Sequence, residues 1–424
     1  MFIMNDSSCV NAIDSLIIYK NVKKDPAVTL IKKYCLEKKE GILSEVLCHM
    51  IYKAEEECFE GNIIKGYIYN LFLNDENMFT LSLENGNNLL DSSMLEIAKN
   101  DLYNMITLAE AFSEIITSDY VCSYVEKNIF WYTPVNKESD KFINKVIKIE
   151  DSEKIIDMFI NYAKTYGCGV LSCFKAFQYN YSKAKLEGIN DFDNVTFDDI
   201  IGYKEQIKEL RENTEAFINN LPANNILLAG ARGTGKSTSV KALANEYYNK
   251  GLRLLEVTKE HIQELPKLLD VLRKRGRKFI IFIDDLSFDE NERQYKYMKS
   301  IIEGGSRKKP DNVIFYATSN RRHIISEKWN DRLRGSEDAE VHTLDTLNEK
   351  LSLSDRFGIT ITFPKPNAKE YINMVKIMAK KSNIIIDDDI LQKEAMKWEL
   401  NQKGMSGRTA RQFINDYICK TKKL

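Results

Sequence analysis

A glycine-rich segment that carries one lysine and one serine offers the most specific chemistry in this sequence. Residues 230–237 read GARGTGKS, which matches the pattern G-x-x-x-x-G-K-[ST]. Backbone N–H groups can wrap a polyphosphate where no Cβ holds the backbone away, and glycine also permits the φ values that such a turn needs. Lys236 would supply a positive charge to the β- and γ-phosphates, and the Ser237 hydroxyl is suited to ligate Mg²⁺. The segment therefore predicts a site for a nucleoside triphosphate and Mg²⁺.

The residues on either side of this segment predict the two elements that a phosphate-binding loop joins. Residues 226–229 form an apolar run of the length of a buried strand, and Val240, Leu243, Ala244 and Tyr247 fall on one face of a helix. The N-terminus of that helix would offer free N–H groups and the positive end of its dipole to a phosphate. Strand, glycine loop and helix together distinguish a phosphate site from a chance glycine turn.

Polar side chains follow two further apolar strands. Residues 279–283 read FIIFI and lead directly into Asp284 and Asp285, and the strand VIFYAT is followed by Ser319 and Asn320. Ligands of open α/β sheets bind at the carboxyl ends of the strands, beside the phosphate loop. Asp284 is suited to the Mg²⁺ shell and Asp285 to orienting the attacking water. Asn320 can hydrogen-bond that water or a γ-phosphate oxygen.

The elements that position these residues alternate along the chain. A polar, turn-rich boundary at 188–196 is followed by apolar strands and amphipathic helices, with later strands predicted at 252–257, 279–283, 313–317 and 359–363. This alternation implies a parallel sheet covered by helices on both faces. From residue 368 onward the pattern is helical again, which predicts a small third unit.

The region before the boundary is predicted to be helical from about residue 25 to 186. Its clearest helix is expected to begin near Ser93, with Glu96 as the partner in a capping box. Apolar residues at steps of three and four form a stripe along this helix: Leu95, Ala98, Leu102, Met105, Ala109, Phe112 and Ile116. The stripe predicts packing against other helices, with a coiled-coil seam for a partner as the alternative.

Composition limits the class of protein. A chain of 424 residues predicts two or three domains, and 43% hydrophobic with 29% charged residues is typical of a soluble globular protein. The net charge of −1 gives no overall attraction to nucleic acid or an anionic membrane. The 8 scattered cysteines predict reduced thiols rather than disulfides or a metal site. No signal peptide or membrane-spanning stretch is recognised, so a cytoplasmic location is expected.

Taken together, the motifs resemble those of the AAA+ superfamily of ring-forming ATPases, over about residues 195–420. They occur in that superfamily's order: FDDIIG, GARGTGKS, FIIFIDD, YATSN, SDRFG and GMSGR. More narrowly, DDLSF at 284–288, ATSNRRH at 317–323 and LSLSDRFG at 351–358 resemble an uncharacterised bacterial family, domain of unknown function eight-fifteen. The resemblance implies an α/β P-loop AAA+ module at 191–365 and a C-terminal helical lid at 366–424. An all-α N-terminal domain at 1–190 would precede them as an adaptor.

The resemblance also implies roles for the residues that match its motifs. Lys236 and Ser237 would belong to Walker A, Asp284 and Asp285 to Walker B, and Asn320 would be sensor 1. Arg356 would be an arginine finger that reaches a neighbour's ATP, and Arg408 the sensor 2 arginine, with Arg411 as the fallback. The expected nucleotide-binding set is Ile200, Ile201, Gly202, Gly230, Arg232, Gly233, Thr234, Gly235, Lys236, Ser237 and Thr238, of which the first three would line the adenine pocket.

Two consequences of this resemblance concern rate and assembly. Most AAA+ proteins have Glu where this chain has Asp285, whose carboxylate is about one methylene further back. Hydrolysis of ATP could therefore be slow, and the site could work mainly as a nucleotide switch. An arginine finger that acts in a neighbouring site requires a homo-oligomer closed by rotational symmetry.

Three classes of target remain open for an ATPase that remodels or loads a macromolecular partner. A polypeptide-threading machine usually carries an aromatic residue after the second strand, whereas residues 258–261 read TKEH. A nucleic-acid loader could use the basic run at 273–278 (RKRGRK) or the cluster at 307–309, although such a run is more often a solvated helix end. A conformational switch would recruit a protein partner through residues 1–190.

Overall fold

The computed structural model describes residues 2–86, 91–116, 138–286, 293–303, 308–320, 355–402 and 404–421. The chain divides into two compact units. The first comprises Met1–Lys175, Leu186–Asp191 and Arg275–Arg277, and the second comprises Ala176–Lys185, Phe192–Lys274 and Lys278–Leu424. The domain boundaries expected at 190 and 365 remain predictions.

Helices form most of the first unit in the described part of the chain. They are α1 (Phe2–Asp14), α2 (Pro26–Glu37), α3 (Glu40–Glu57), α4 (Ile63–Asn74), α5 (Met78–Glu84), α6 (Ser92–Ile115), α7 (Glu138–Val146), α8 (Ser152–Tyr166) and α9 (Val170–Cys173). The expected apolar stripe lies on α6, and Ala98, Leu102, Met105 and Phe112 are buried in one core shared with the neighbouring helices. The prediction that this stripe packs against other helices is confirmed.

The expected start of α6 near Ser93 is confirmed, because the helix begins at Ser92, but the expected capping residue is wrong. Asp91 is the N-cap, and its carboxylate accepts hydrogen bonds from the backbone N–H and the hydroxyl of Ser93. An aspartate caps a helix at least as well as a serine, and here its carboxylate also takes the serine hydroxyl as a donor. Glu96 is therefore not the partner of a Ser93 cap.

Buried charge organises two segments of the first unit. The Asp101 carboxylate, fully buried, accepts hydrogen bonds from the backbone N–H groups of three successive residues after α1, namely Ile17, Ile18 and Tyr19. Burial of a carboxylate costs little when it is satisfied by several N–H donors. Asp101 thus fixes the end of α1 against the middle of α6.

A second buried charge corrects an expectation about the basic run at 273–278. Arg275 forms a bidentate pair with Glu84, from Nε to Oε1 at 2.9 Å and from Nη2 to Oε2 at 2.7 Å. Arg277 donates to the backbone carbonyl of Glu84 at 2.9 Å, and both arginines are buried in the first unit. For Arg275 and Arg277, two predictions are therefore wrong: that they lie at a solvated helix end, and that they form a surface for phosphates. Both guanidinium groups are engaged inside the protein instead.

The helical pattern expected up to residue 186 ends earlier. Strands β1 (Ala176–Asn180) and β2 (Lys185–Gly188) follow α9. Phe177 and Tyr179 of β1 are buried, and aromatic residues favour strands that pack in a core. The remaining strands are β3 (Ile226–Gly230), β4 (Leu252–Glu256), β5 (Lys278–Ile283), β6 (Val313–Ser319) and β7 (Ile359–Phe363).

These strands form a seven-stranded sheet with the order β2-β1-β4-β5-β6-β3-β7. The pairs β1–β4, β4–β5, β5–β6, β6–β3 and β3–β7 are all parallel. Because parallel strands end at the same edge, β3, β5 and β6 deliver Gly230, Asp284 and Asn320 to one place.

The second unit also contains α10 (Lys204–Ile218), α11 (Lys236–Tyr247), α12 (Leu265–Leu272) and α13 (Arg293–Glu303). After β7 come α14 (Ala368–Lys381), α15 (Asp388–Leu400) and α16 (Gly407–Thr421), which share a core of their own around Tyr371 and Phe413. The predicted fold class is confirmed: an α/β P-loop module with a helical lid and a helical region before it.

Among the described helices, none combines the length and the apolar character that a membrane span requires.

Candidate nucleotide-binding site

A cavity of about 600 Å³ lies in the second unit, at the carboxyl ends of β3, β5 and β6. Ligand sites for small molecules commonly have volumes of about 300–1,000 Å³. The residues that line it are Asp199, Ile200, Ile201, Tyr203, Arg232, Gly233, Thr234, Gly235, Lys236, Ser237, Thr238, Asp284, Asp285, Thr318, Asn320, Met374, Met378, Gly407, Arg408 and Arg411. The cavity is thus built from the glycine loop, two strand ends and the lid.

The glycine loop has backbone conformations and close contacts that exclude a side chain. Gly230, Gly233 and Gly235 have φ values of 146°, 76° and 96°. A Cβ at Gly230 would lie 2.1 Å from the carbonyl oxygen of Phe363, and one at Gly233 would lie 2.8 Å from Ser406 Oγ. Glycine is therefore required at these two positions by both conformation and space.

The ammonium group of Lys236 is held inside this loop. Nζ donates to the carbonyl oxygens of Gly230 at 2.9 Å and Ala231 at 2.7 Å, and to Asn320 Oδ1 at 3.1 Å. The residue is buried. Burial lowers the pKa of Lys236, the nearby Asp284 and Asp285 raise it, and Arg232 and Arg408 lower it again, so that the net pKa lies below its ordinary value. A further anionic group would stabilise the charged lysine.

The Asp284 carboxylate accepts hydrogen bonds from the hydroxyl groups of two residues. Its Oδ1 accepts hydrogen bonds from Ser237 Oγ at 2.7 Å and from Thr318 Oγ1 at 2.5 Å. The backbone N–H of Asp285 also approaches Oδ1, at 3.2 Å. A carboxylate beside a hydroxyl at the mouth of a glycine loop is an oxygen-rich donor set of the kind that Mg²⁺ prefers.

Asp285 and Asn320 form a direct pair. Asn320 Nδ2 donates to Asp285 Oδ1 at 2.6 Å, while the other side of the same amide accepts from Lys236. Asp285 has a φ of 51°, a left-handed conformation that aspartate tolerates better than most residues. Strained backbone of this type is concentrated at functional sites.

The lid contributes the start of α16. The backbone N–H of Arg408 donates to the carbonyl oxygen of Gly233 at 3.3 Å. Ser406 Oγ accepts from the N–H of Thr409 at 3.1 Å, so that the serine caps the helix. Gly407, Arg408 and Arg411 line the cavity as a result.

An apolar end of the cavity lies between the segment before α10 and the lid. Ile200, Ile201, Met374 and Met378 line it together with Tyr203. The Tyr203 hydroxyl donates to the carbonyl oxygen of Pro364 at 2.9 Å, and burial raises the pKa of this tyrosine to about 12. Apolar surface beside a phosphate-binding loop suits a nucleobase.

Most of the residues expected from the sequence line this cavity. They are Ile200, Ile201, Arg232, Gly233, Thr234, Gly235, Lys236, Ser237, Thr238, Asp284, Asp285, Asn320 and Arg408, with the fallback Arg411. Gly202 lies between the lining residues Ile201 and Tyr203, and the carbonyl oxygen of Gly230 accepts a hydrogen bond from Lys236, but neither glycine lines the cavity itself. Arg356 lies outside it, exposed, in the short turn Asp355–Phe357. Residues 287–288, 307, 321–323 and 351–354, which belong to sequence motifs, lie outside the described residues.

Sequence reasoning missed several residues that line the cavity. These are Asp199, Tyr203, Thr318, Met374, Met378 and Gly407. Thr318 precedes Asn320 by two residues, so strand periodicity could have placed both on one face. Met374 and Met378 are spaced by one helical turn, but nothing in the sequence relates that face to the glycine loop.

The chain is similar to several known proteins. A family model described as "Protein of unknown function (DUF815)" matches residues 172–421. The putative 26S proteasome regulatory subunit homolog of Methanocaldococcus jannaschii is 23% identical over 334 residues, which cover 71% of this chain and 87% of that protein. The proteasome-activating nucleotidase of the same organism is 27% identical over 223 residues, and the chain spans only 48% of its length. A solved structure of a mutant RuvB from Thermotoga maritima is 19% identical with a TM-score of 0.36, and the match covers 52% of this chain and 64% of that one.

The resemblance to AAA+ ATPases predicted from the motifs is confirmed. Because the family match extends over more than half of the 424 residues, the chain belongs to the family described as Protein of unknown function (DUF815).

Proposed function

We propose that the protein is an AAA+ ATPase that binds ATP with Mg²⁺ and hydrolyses it to ADP and phosphate. Turnover would drive the remodelling or loading of a macromolecular partner. The observation that carries this proposal is the cavity in which Lys236, Ser237, Asp284, Asp285 and Asn320 meet. The similarity to proteins named nucleotidases supports it.

Binding would begin with the triphosphate at the glycine loop. The loop and the start of α11 provide backbone N–H groups, and Lys236 provides the charge. Its contacts with the carbonyl oxygens of Gly230 and Ala231 would be exchanged for phosphate oxygens. The apolar end around Ile200, Ile201 and Met374 would receive the adenine, because these side chains offer apolar surface to a nucleobase.

Ser237 and Asp284 fit a bound Mg²⁺, because a hydroxyl and a carboxylate meet there at 2.7 Å. When bound, Mg²⁺ would neutralise charge on the phosphates. Asp285 would orient the attacking water. Asn320 would connect Asp285 with Lys236, the residue proposed to contact the γ-phosphate, through the two ends of its amide.

A second candidate function is a slowly hydrolysing nucleotide switch. The Asp285 carboxylate accepts a hydrogen bond from Asn320 at 2.6 Å, so one oxygen is engaged before any water is activated. Its side chain is also shorter than the usual glutamate. Both features support a rate limited by Asp285.

Assembly as a homo-oligomer is part of the proposal. Arg356 is exposed and does not line the cavity of its own chain, which supports a role in the site of a neighbouring subunit. The helical region 1–190 would recruit a protein partner.

A nucleic-acid partner is less supported, because Arg275 and Arg277 are engaged internally. Co-purification with Asp285→Asn as a trap, with and without nuclease, decides between these partners: loss on nuclease treatment would indicate nucleic acid.

Lys236→Ala tests the core of the proposal. Removal of the ammonium group should abolish binding of a fluorescent ATP analogue, because no other lysine lines the cavity among the described residues. Lys250→Ala, an exposed lysine of the same unit, should bind as the wild type does. A wild-type protein without affinity for ATP at millimolar concentration would refute the proposal.

A further inference from the structure

Thr318, near the end of β6, contacts both aspartates at the site, and no sequence motif assigns it a role. We propose that Thr318 is a positioning residue for ATP hydrolysis, whose hydroxyl holds the turn that carries Asp284 and Asp285. This inference rests on the ATPase function proposed above. It concerns a side chain that acts through the two carboxylates rather than on the substrate.

The contacts of Thr318 reach three successive residues of the turn. Its hydroxyl donates to Asp284 Oδ1 at 2.5 Å and accepts from the backbone N–H of Asp285 at 2.9 Å. Its carbonyl oxygen accepts from the N–H of Leu286 at 2.7 Å. The side chain thus fixes both the orientation of one carboxylate and the backbone of the other.

The turn needs such support because its backbone is strained. Asp285 adopts a φ of 51°, a left-handed conformation that costs free energy for residues other than glycine, although less for aspartate than for most, and the surrounding contacts hold it there. The hydrogen bond from its N–H to the Thr318 hydroxyl, at 2.9 Å, is the shorter of the two contacts that hold this peptide plane. Without the hydroxyl, that N–H keeps only the longer contact with Asp284 Oδ1 at 3.2 Å, and the turn can relax.

Thr318 is itself rigidly placed. It is 2% exposed, and it lies opposite Leu228 of β3 in the centre of the sheet. The preceding residue, Ala317, lies opposite Ile283 of β5. A hydroxyl on a buried central strand is a fixed reference point for the two carboxylates.

Thr318 also differs from the other hydroxyl on Asp284. Ser237 donates to the same Oδ1 at 2.7 Å, but in its proposed role as a metal ligand it gives up that contact. Thr318 is then the side-chain hydroxyl that remains on Asp284. Residues that orient a metal ligand from behind typically change metal affinity or activity by about 10–100-fold.

The test compares Thr318→Val, which keeps the shape and removes the hydroxyl, with Thr318→Ser, which keeps the hydroxyl. Thr318→Val should lower kcat by about 10–100-fold and raise the Mg²⁺ concentration for half-maximal turnover by about 10-fold. KM should change by less than about two-fold, because the glycine loop is untouched. Thr318→Ser should keep most of the wild-type kcat and a Mg²⁺ dependence close to that of the wild type.

Thr214→Val is the matched control. Thr214 is fully buried in the same unit, and its hydroxyl donates to the carbonyl oxygen of Leu210 and pairs with the Tyr316 hydroxyl. This variant should lose thermal stability without a change in kcat or in Mg²⁺ dependence. If Thr318→Val does not fold, Thr318→Ala carries the same prediction.

Each outcome is decisive. Unchanged kcat and Mg²⁺ dependence in Thr318→Val, an equal loss in Thr214→Val, or no recovery in Thr318→Ser would overturn the positioning role. If the wild type binds ATP without measurable turnover, binding of the fluorescent analogue is measured at several Mg²⁺ concentrations instead. Thr318→Val should then need more Mg²⁺ for binding than the wild type, and an unchanged Mg²⁺ dependence would overturn the positioning role. A wild type that binds no nucleotide refutes the proposed function and, with it, this inference.

Discussion

At the residue scale, the candidate site depends on backbone conformations that most side chains avoid. Gly230, Gly233 and Gly235 meet this need as glycines, whereas Tyr203 and Asp285 have φ values of 57° and 51° with their side chains present. Tyr203 is held by its hydrogen bond to Pro364, and Asp285 by Thr318 and Asn320. Strain at these two residues is therefore balanced by contacts that also shape the cavity.

Gly230→Ala should destabilise the protein by roughly 2–4 kcal/mol, since the new Cβ is strained at positive φ and overpacked. At Gly230 the φ is 146°, and a Cβ would lie 2.1 Å from the Phe363 carbonyl oxygen, across the β3–β7 pair. Calorimetry should show a lower unfolding temperature and the ATP titration a loss of affinity.

Gly41→Ala provides the control with the opposite sign. A Cβ there meets nothing within 4 Å, and the residue lies in α3. The unfolding free energy should rise by about 0.5–1 kcal/mol, because alanine loses less conformational entropy in a helix. Equal effects of the two substitutions would contradict the steric reason given for Gly230.

Most of the residues that line the cavity could be predicted from the sequence, because each belongs to a local pattern. GARGTGKS and the Asp284–Asp285 pair after an apolar strand point to phosphate and Mg²⁺ without knowledge of the fold. Thr318 was not predictable in this way. Threonine is favoured in any strand, and only the pairing of β6 with β3 and β5 shows that its hydroxyl meets Asp284.

At the scale of elements, the alternation of strands and helices predicts the parallel sheet but not its ends. The sequence predicts a helical region up to about residue 186, and the short strands β1 and β2 lie at its end, between α9 and the polar boundary. The helix α1 at Phe2–Asp14 was also not predicted. The roles of Arg275 and Arg277 were missed because their partner, Glu84, is nearly 200 residues away in the sequence.

The Glu84–Arg275 pair should make the stability of the first unit depend on pH. Burial raises the pKa of Glu84, but the hydrogen bonds and charge of Arg275 outweigh it, so the net pKa lies below the ordinary value of 4.5. The stabilisation from the carboxylate is therefore complete above about pH 4.5 and is lost as the pH falls through the folded pKa. Glu84→Gln should cost about 3–5 kcal/mol at pH 7, because it leaves a buried guanidinium without its main partner.

Urea unfolding of wild type and Glu84→Gln at pH 7 and at lower pH measures this effect. The difference in unfolding free energy should shrink as the pH falls below about 4.5. Glu60→Gln is the control, because Glu60 and its partner Lys148 are both exposed and such pairs contribute about 0–1 kcal/mol. A pH-independent difference between wild type and Glu84→Gln would show that the charge of Glu84 is not the stabilising feature.

At the scale of the whole molecule, the position of Arg356 bears on the proposed assembly, because this residue does not line the cavity of its own chain. The cavity already contains Lys236 and three arginines, Arg232, Arg408 and Arg411, whereas Arg356 is exposed outside it. An arginine finger acts where charge develops on the phosphates during hydrolysis, so Arg356 would be functional only against the site of another copy. The SDRFG motif predicts that Arg356 is an arginine finger, which stays a prediction, and the sequence alone does not give its position relative to the cavity.

Arg356→Ala should therefore retain ATP binding and lose about 10³-fold or more in turnover, the range known for arginine fingers. The control is Arg273→Ala, since Arg273 is also exposed and outside the cavity.

A mixing experiment separates action within one chain from action between chains. Lys236→Ala subunits lack a working site but keep Arg356, and Arg356→Ala subunits have the reverse defect. In equimolar mixed oligomers, about a quarter of the sites should combine an intact cavity with an intact neighbouring arginine, and turnover should return to that extent. Mixtures that stay inactive although they co-assemble would exclude a role for Arg356 between subunits.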